Sequence, residues 1–300
     1  YAQSMLGIIY AIIASAFFAL NGATVRRGMV YGSAWHALNV SILGGIPLFL
    51  LASLLTGELF LYKSIGLSNY GTLVLAGLLH FLIGRYASFK AISILGQTKA
   101  QPLSATALLF SIILAMLWLD ESITWIMAVG IALLLIGPLI IAKPISTKND
   151  TPVLLTENLI LGYAWGLLNA FCWGITPVII RHALEDTGLG ILGGTISYMA
   201  AGFVLIILMV IRINPSIAIQ LKGRSGRWFI AGAVTVFAAQ MFRFLALSNA
   251  PVSLVMPLMR AGAVFVVLFA FIINREYESF ENRVLLGITV SIIGALAMVL

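Results

Sequence analysis

Long apolar runs recur along the whole chain, and each is bounded by charged residues or by proline and glycine. Their lengths are close to the ~20 residues that an α-helix needs to cross the hydrocarbon core of a membrane. Tryptophan, whose amphipathic ring favours the headgroup region, stands at the ends of several runs. The pattern predicts an all-α integral membrane protein with ten transmembrane helices, at approximately residues 5–25, 34–56, 69–95, 97–119, 123–143, 159–181, 190–212, 228–249, 252–273 and 284–300.

The composition agrees with a chain whose main solvent is lipid. Hydrophobic residues make up 61% of it and charged residues only 9%, whereas a soluble domain carries about 25% charged residues. The net charge of +7 does not indicate nucleic acid as a partner, because no basic cluster alternates with exposed aromatics. The single cysteine, Cys172, cannot form a disulfide within one chain, and the sequence indicates neither a metal site nor a cofactor.

The chain matches itself when it is shifted by about 155 residues, which is the mark of an internal repeat. Arg26 then meets Arg181, and Pro102 meets Pro257. We therefore divide the chain into a first five-helix repeat at residues 5–143, a linker at 144–158 and a second five-helix repeat at 159–300, and we interpret residues 1–4 as a remnant of cloning. Since five crossings is an odd number, the second repeat must be inverted relative to the first, as in many transporters.

Lysine and arginine collect on one side of the predicted membrane. The side reached after the odd-numbered spans carries most of them, among them Arg27, Lys143 and Arg227, whereas Lys63 and Arg181 lie on the other side. Positively charged loops face the cytoplasm in most membrane proteins. We therefore expect a multi-pass protein of a plasma membrane, such as the bacterial inner membrane, with an extracytoplasmic N-terminus.

Several short motifs occur twice in the same order. Each half has an aromatic first helix (ASAFFALNG and NAFCWGITP), a proline-containing fourth helix that ends in an acidic residue (Glu121 and Glu276), and a glycine-rich last helix. In these features the whole chain resembles the EamA-type, ten-helix branch of the drug/metabolite transporter superfamily. The resemblance implies secondary transport of a small metabolite, but members carry amino acids, other metabolites, nucleotide derivatives or toxic cations.

Five lysine, arginine or histidine residues lie well inside predicted spans 3, 8 and 9, although all ten acidic residues fall at span ends or in loops. These are His80, Arg85, Lys90, Arg243 and Arg260. A charged group at the centre of a membrane helix costs at least about 2.5 kcal/mol. One interpretation is an electropositive cavity that binds a substrate carboxylate or other anionic group; the alternative is that these side chains snorkel or bond to backbone carbonyls at kinks.

The repeat register selects among these cations. It pairs Arg85 with Gln240, and Gln240 and Arg243 share a helix face three residues apart. We therefore place Arg85, Gln240 and Arg243 in the substrate cavity, and Arg260, three residues after Pro257, as a further member.

A second candidate wall comes from the first helix of each half. Asn169 and Trp173 share one face of span 6. In the repeat register the corresponding face of span 1 carries Phe18 and Asn21. An aromatic ring beside amides suits a binding wall, although asparagine also commonly bonds neighbouring membrane helices to each other.

Three further residues are candidates for coupling and gating. His80 titrates near neutral pH and is a candidate proton-coupling group, with a polar core histidine as the alternative. Pro102 and Pro257 each remove a backbone hydrogen bond and are candidate gating hinges, with static packing kinks as the alternative.

The sequence thus favours a secondary carrier that moves an amino acid or organic anion by alternating access, with the bilayer and a small molecule as partners and protons as a candidate coupling ion. A carrier of neutral or cationic metabolites or drugs, a channel and an intramembrane enzyme are the alternatives. The enzyme is the weakest of these, since the chain contains no H-E-x-x-H, G-x-S-x-G or Walker A motif.

Overall fold

The computed structural model describes residues 2–29, 31, 34–95, 103–104, 106–141, 156–211 and 223–260, together with scattered positions between 262 and 297. Within these residues all regular structure is helical. The helices are α1 (Ala2–Met29), α2 (Ala34–Leu55), a 3₁₀ helix (Glu58–Ser64), α3 (Leu67–Gly77), a π-helical turn (Leu78–Gly84), α4 (Arg85–Leu95), α5 (Ala107–Trp118), α6 (Trp125–Ile141), α7 (Thr156–Leu184), α8 (Gly190–Val210), α9 (Gly223–Asn249) and α10 (Val252–Arg260).

Six helices are long and apolar enough to cross a membrane. They correspond to predicted spans 1, 2, 3, 6, 7 and 8, and they occupy Ser4–Val25, His36–Leu55, Leu67–Ser88, Ile160–Leu184, Gly190–Val210 and Ser225–Asn249. Helices α5, α6 and α10 lie within predicted spans 4, 5 and 9, whose remaining residues fall outside the described part. The prediction of ten crossings therefore stays a prediction.

Lipid explains why these helices are stable with apolar side chains on their outer faces. Leu55, Phe203 and Val210 are 77%, 66% and 74% exposed, which would be unfavourable in water but is favourable against acyl chains. A helix also satisfies its backbone hydrogen bonds internally, as the hydrocarbon core requires.

The core lies between the first and second halves of the chain. Helix α1 packs along α9, α2 and α3 pack against α8, and α4 and α5 pack against α7. Small residues allow the closest approaches: a Cβ added to Gly7 would lie 2.3 Å from the Cβ of Ala250, and one added to Gly77 would lie 2.2 Å from the carbonyl oxygen of Ser197. Close packing of backbones is the usual basis of helix association in membranes.

The carboxylates of the described loops all lie at one end of the bundle, which we call the acidic end. They are Glu58, Asp120, Glu121, Glu185 and Asp186, and they lie between α2 and α3, between α5 and α6, and after α7. The opposite end carries Arg27 and Arg227 and is called the basic end. The acidic end corresponds to the side that the distribution of lysine and arginine predicts to be extracytoplasmic.

Two carboxylates at the acidic end join the halves of the chain. Glu58 accepts a 2.8 Å hydrogen bond from the backbone N–H of Leu192, at the start of α8. Glu121 accepts 2.8 Å bonds from the N–H groups of Val252 and Ser253, at the start of α10. Because the first N–H groups of a helix lack intrahelical partners and carry partial positive charge, an ionised carboxylate is well placed there.

Candidate functional site

The helical stretch from Leu67 to Leu95 is interrupted at its middle by the π-helical turn, in which His80, Phe81 and Gly84 are buried. Two carbonyl groups of this turn accept hydrogen bonds from α7: the indole nitrogen of Trp173 donates to the oxygen of His80 at 3.3 Å, and the amide of Asn169 donates to the oxygen of Gly84 at 2.9 Å. Hydrocarbon offers no other donors for such groups. Side chains of α7 thus stabilise the turn, and π turns of this kind are frequent at functional sites.

The π turn brings the imidazole of His80 against two polar side chains of α9. The Nε2 atom of His80 lies 3.3 Å from the amide nitrogen of Gln240 and 3.2 Å from a guanidinium nitrogen of Arg243. The same nitrogen of Arg243 donates to the Oε1 of Gln240 at 3.1 Å. All three side chains are buried, with Gln240 at 0% and Arg243 at 2% exposure.

The protonation of His80 follows from these contacts. Arginine can only donate hydrogen bonds, and the nitrogen of the Gln240 amide is also a donor. Because the Gln240 amide nitrogen faces Nε2, this atom must be the acceptor, and the Arg243 nitrogen lies 3.2 Å from it and 3.5 Å from Nδ1. In this arrangement the imidazole is neutral, and a proton on Nε2 would oppose both neighbours.

Arg85 immediately follows the π turn and extends the same polar region. Its guanidinium donates to the hydroxyl of Ser41 at 2.9 Å, lies 5.3 Å from the centroid of the Phe81 ring and faces the hydroxyl of Tyr198. None of these partners carries a negative charge. The central polar cluster, as we call His80, Arg85, Tyr198, Gln240 and Arg243, therefore presents two permanent positive charges near the middle of the predicted bilayer.

Aromatic rings surround the cluster. The ring of Trp173 stacks on that of His80 with 5.6 Å between centroids. The ring of Tyr198 lies 4.3 Å from that of Phe81 and 4.8 Å from that of Phe49. These rings make the surroundings of the cluster apolar, and in a medium of low polarity the charges of the cluster interact strongly with any ionic partner.

Of the two predicted wall asparagines, the structure places Asn169 beside the cluster and Asn21 away from it. Asn169 lies beside Trp173, where its side-chain oxygen also accepts a 2.8 Å hydrogen bond from Ser104. The amide of Asn21 instead donates to the carbonyl of Gly232 at 2.8 Å, two turns along α9 from Gln240. Its contact therefore joins α1 to α9.

Of the four remaining predicted site residues, the structure describes the side chains of two. Phe18 is half-buried on α1, and Pro257 is buried within α10. Pro102 and the side chain of Arg260 lie outside the described residues.

Two members of the polar region were missed by the sequence analysis. Tyr198 and Ser41 are hydroxyl-bearing residues in the interiors of predicted spans 7 and 2, and the hydroxyl of Tyr198 faces the guanidinium of Arg85. A hydroxyl in the middle of an apolar run is a weak signal, because such groups commonly bond to their own helix, as Ser41 also does with the carbonyl of Leu38.

Known proteins that are similar to this chain include members of one family, a protein named as a transporter and a solved structure. The family model described as the EamA-like transporter family matches residues 5–143 and again 160–300. A protein of Methanothermobacter thermautotrophicus named "Uncharacterized transporter" is 24% identical over 292 residues, which cover 92% of this chain and 81% of that protein. One solved crystal structure superposes with a TM-score of 0.74 at 14% identity, covering 99% of this chain and 97% of that one, and shows a shared fold.

Proposed function

Since the chain belongs to the EamA-like transporter family and is therefore a multi-pass membrane transporter of small molecules, we propose that it is a secondary carrier for a metabolite with a carboxylate or other anionic group. Amino acids and organic anions are the substrate class. The observation that carries the proposal is the central polar cluster, in which Arg85 and Arg243 are held in the interior of the bundle by helices from both halves of the chain.

The cost of placing two guanidinium groups in the membrane interior supports a functional role. Each costs at least about 2.5 kcal/mol at the centre of a helix, and the partners of Arg85 are a hydroxyl-bearing serine, a phenyl ring and a tyrosine. An arginine fork matches the geometry of a carboxylate and binds it with two parallel hydrogen bonds. A bound anion would therefore supply the charge that the neutral partners of Arg85 do not.

We assign the transport cycle to alternating access between two inverted five-helix units, residues 5–143 and 159–300. The proposal is supported by contacts that join the halves at the acidic end: Glu58 and Glu121 cap helices of the second half, and Asn69 donates to the carbonyl of Ala183 at 3.3 Å. Opening of this end requires these bonds to break. Pro102 and Pro257 remain the proposed hinges of the motion.

His80 is the proposed coupling group. Its neutral imidazole accepts from Arg243 and Gln240, so a proton arriving at Nε2 would displace Arg243 and free it for an anion. Replacement of His80 by glutamine, which keeps a hydrogen-bonding side chain but cannot titrate in this range, should abolish the dependence of transport on a pH gradient. A pH dependence equal to that of the wild type would remove His80 from the mechanism.

The experiment that tests the substrate class is binding and uptake of a panel of amino acids and organic anions by the purified protein in proteoliposomes. We expect Arg85→Gln and Arg243→Gln to weaken binding more than about tenfold, because removing one member of a buried charge pair costs several kcal/mol. Lys90→Gln removes the same charge from the exposed surface of α4 and should leave binding unchanged. Anion binding that survives both arginine changes would refute the proposal, in favour of a neutral or cationic substrate.

Counterflow in the same vesicles separates a carrier from a channel. A carrier accumulates labelled substrate against unlabelled substrate inside, because loaded sites return faster than empty ones, whereas a pore shows no such exchange. Absence of counterflow for every substrate that binds would favour the channel. Chemical conversion of a substrate without its transfer would favour the intramembrane enzyme.

A further inference from the structure

A separate cleft of about 500 Å³ opens at the basic end, between the end of α1 and the start of α9, and is lined by Arg27, Tyr31, Arg227, Trp228 and Ala231. The two helices are in close contact beside it, since a Cβ added to Gly28 would lie 2.6 Å from the ring of Phe229. The cleft is therefore a shallow site at the bundle surface.

The cleft does not belong to the central polar cluster. Arg227 precedes Gln240 by 13 residues, which places it about 20 Å away along α9 and about 140° around the helix. Ala231 points about 180° away from Gln240 by the same geometry. The lining residues of α9 thus face away from the central polar cluster, and Arg227 among them is exposed.

The face of α9 that lines the cleft continues into the hydrocarbon region. Ile230 and Val234 lie three and seven residues after Arg227, on the same face of the helix, and they are 46% and 49% exposed. Trp228 and Tyr31 border the cleft, and both residue types prefer the level of the lipid headgroups. The site therefore offers positive charge at the headgroup level and, on the same face, an apolar surface deeper in the membrane.

We propose that this cleft binds the phosphate of an anionic phospholipid, with Arg27 and Arg227 as phosphate ligands, Trp228 and Tyr31 beside the glycerol region, and Ile230 and Val234 against an acyl chain. One guanidinium group can donate two parallel hydrogen bonds to the oxygens of a phosphate. Because Arg27 belongs to the first half of the chain and Arg227 to the second, the lipid bridges the two halves at the basic end.

The test is retention of phosphatidylglycerol against phosphatidylcholine by the purified protein, measured by native mass spectrometry after exchange in mixed micelles. We expect preferential retention of phosphatidylglycerol, a reduction of about five-fold in each of Arg27→Gln and Arg227→Gln, and about thirty-fold when both are changed. Lys63→Gln removes an exposed charge at the acidic end and should retain the lipid as the wild type does. Arg227→Lys, which keeps the charge but loses the planar fork, should give an intermediate loss and covers the case in which the double variant does not fold.

Three outcomes would overturn the proposal. Equal retention by the wild type and by both single variants would show that the arginines do not bind the headgroup. Complete competition by inorganic phosphate or glycerol phosphate would assign the cleft to a soluble phosphate. Loss of substrate binding at the central polar cluster in Arg227→Gln, with lipid retention unchanged, would assign the cleft to the transport path.

Discussion

Replacement of Glu121 by glutamine should open the acidic end of the bundle. The carboxylate accepts hydrogen bonds of 2.8 Å from both Val252 and Ser253, whose N–H groups are the first two of α10 and have no partners within the helix. Glutamine keeps one acceptor oxygen, loses the other and removes the negative charge from the positive end of the helix dipole.

The magnitude follows from the geometry. Loss of a side-chain cap at a helix N-terminus costs about 0.5–2 kcal/mol. Glu121 is half-buried and one of its two bonds survives in the variant, so we take about 1 kcal/mol, which corresponds to a shift of about five-fold in the equilibrium between closed and open ends. The shift should favour the conformation that is open at the acidic end.

Cysteine accessibility measures this shift. The single native cysteine, Cys172, is 1% exposed, so a second cysteine at Ser248, which is 4% exposed near the acidic end, can be labelled selectively with a membrane-impermeant maleimide. We expect labelling about five-fold faster in Glu121→Gln than in its parent. Asp120→Asn is the matched control, because Asp120 is exposed and has a positive φ of 51° that asparagine tolerates. Equal labelling in the parent and in Glu121→Gln, or equal acceleration by the two changes, would refute the reasoning.

Three other substitutions test the packing and electrostatics of the bundle through the melting temperature of the purified protein. Gly77→Ala places a Cβ 2.2 Å from a backbone oxygen of α8 and should lower the free energy of unfolding by about 1–3 kcal/mol. Gly22 has open space around it, so Gly22→Ala is the control and should not lower stability. Similar melting temperatures of the two variants would contradict the packing. Burial raises the pKa of Glu58 above its ordinary value of 4.5 by more than the N–H groups of Leu192 and Ile191 lower it. The contribution of Glu58 to stability is therefore present below that value and is lost as the pH rises through the raised pKa. Glu58→Gln should flatten this dependence, and an unchanged profile would assign it to another group. Asn169→Leu keeps the side-chain size but leaves the carbonyl of Gly84 without its donor and should cost about 1–3 kcal/mol; wild-type stability would show that the π turn does not need this bond.

The sequence predicted the parts of the molecule that depend on local pattern. Apolar runs located the six long helices, since length and hydropathy suffice to identify a membrane helix. The repeat register placed Arg85, Gln240 and Arg243 in one cavity, and the structure sets Gln240 and Arg243 against His80 with Arg85 nearby. Their role in substrate binding stays a prediction.

The parts that depend on contacts between distant helices could not be predicted in the same way. The partners of Arg85 lie on α2 and α8, and no spacing within one helix indicates which neighbouring helix supplies a hydroxyl. The π turn is likewise absent from the sequence pattern, because a single inserted residue in a helix leaves no mark on the apolar run. Its carbonyls are satisfied by Asn169 and Trp173, so the turn becomes intelligible only once α7 is in place.

The π turn marks a difference between the two halves of the chain. In the repeat register, α1 and α9 correspond to α7 and to the helical stretch Leu67–Leu95, and both of these pairs pack together. In the first pair Asn21 contacts Thr235 at 3.4 Å, and the corresponding residues of the second pair are Thr176 and His80. Helix α9 is α-helical along its full length, whereas its counterpart contains the π turn. Where one pair has a contact that bonds its two helices, the other pair has an imidazole that meets Gln240 and Arg243 across the halves. The proposed substrate chemistry therefore lies where the two halves of the chain differ.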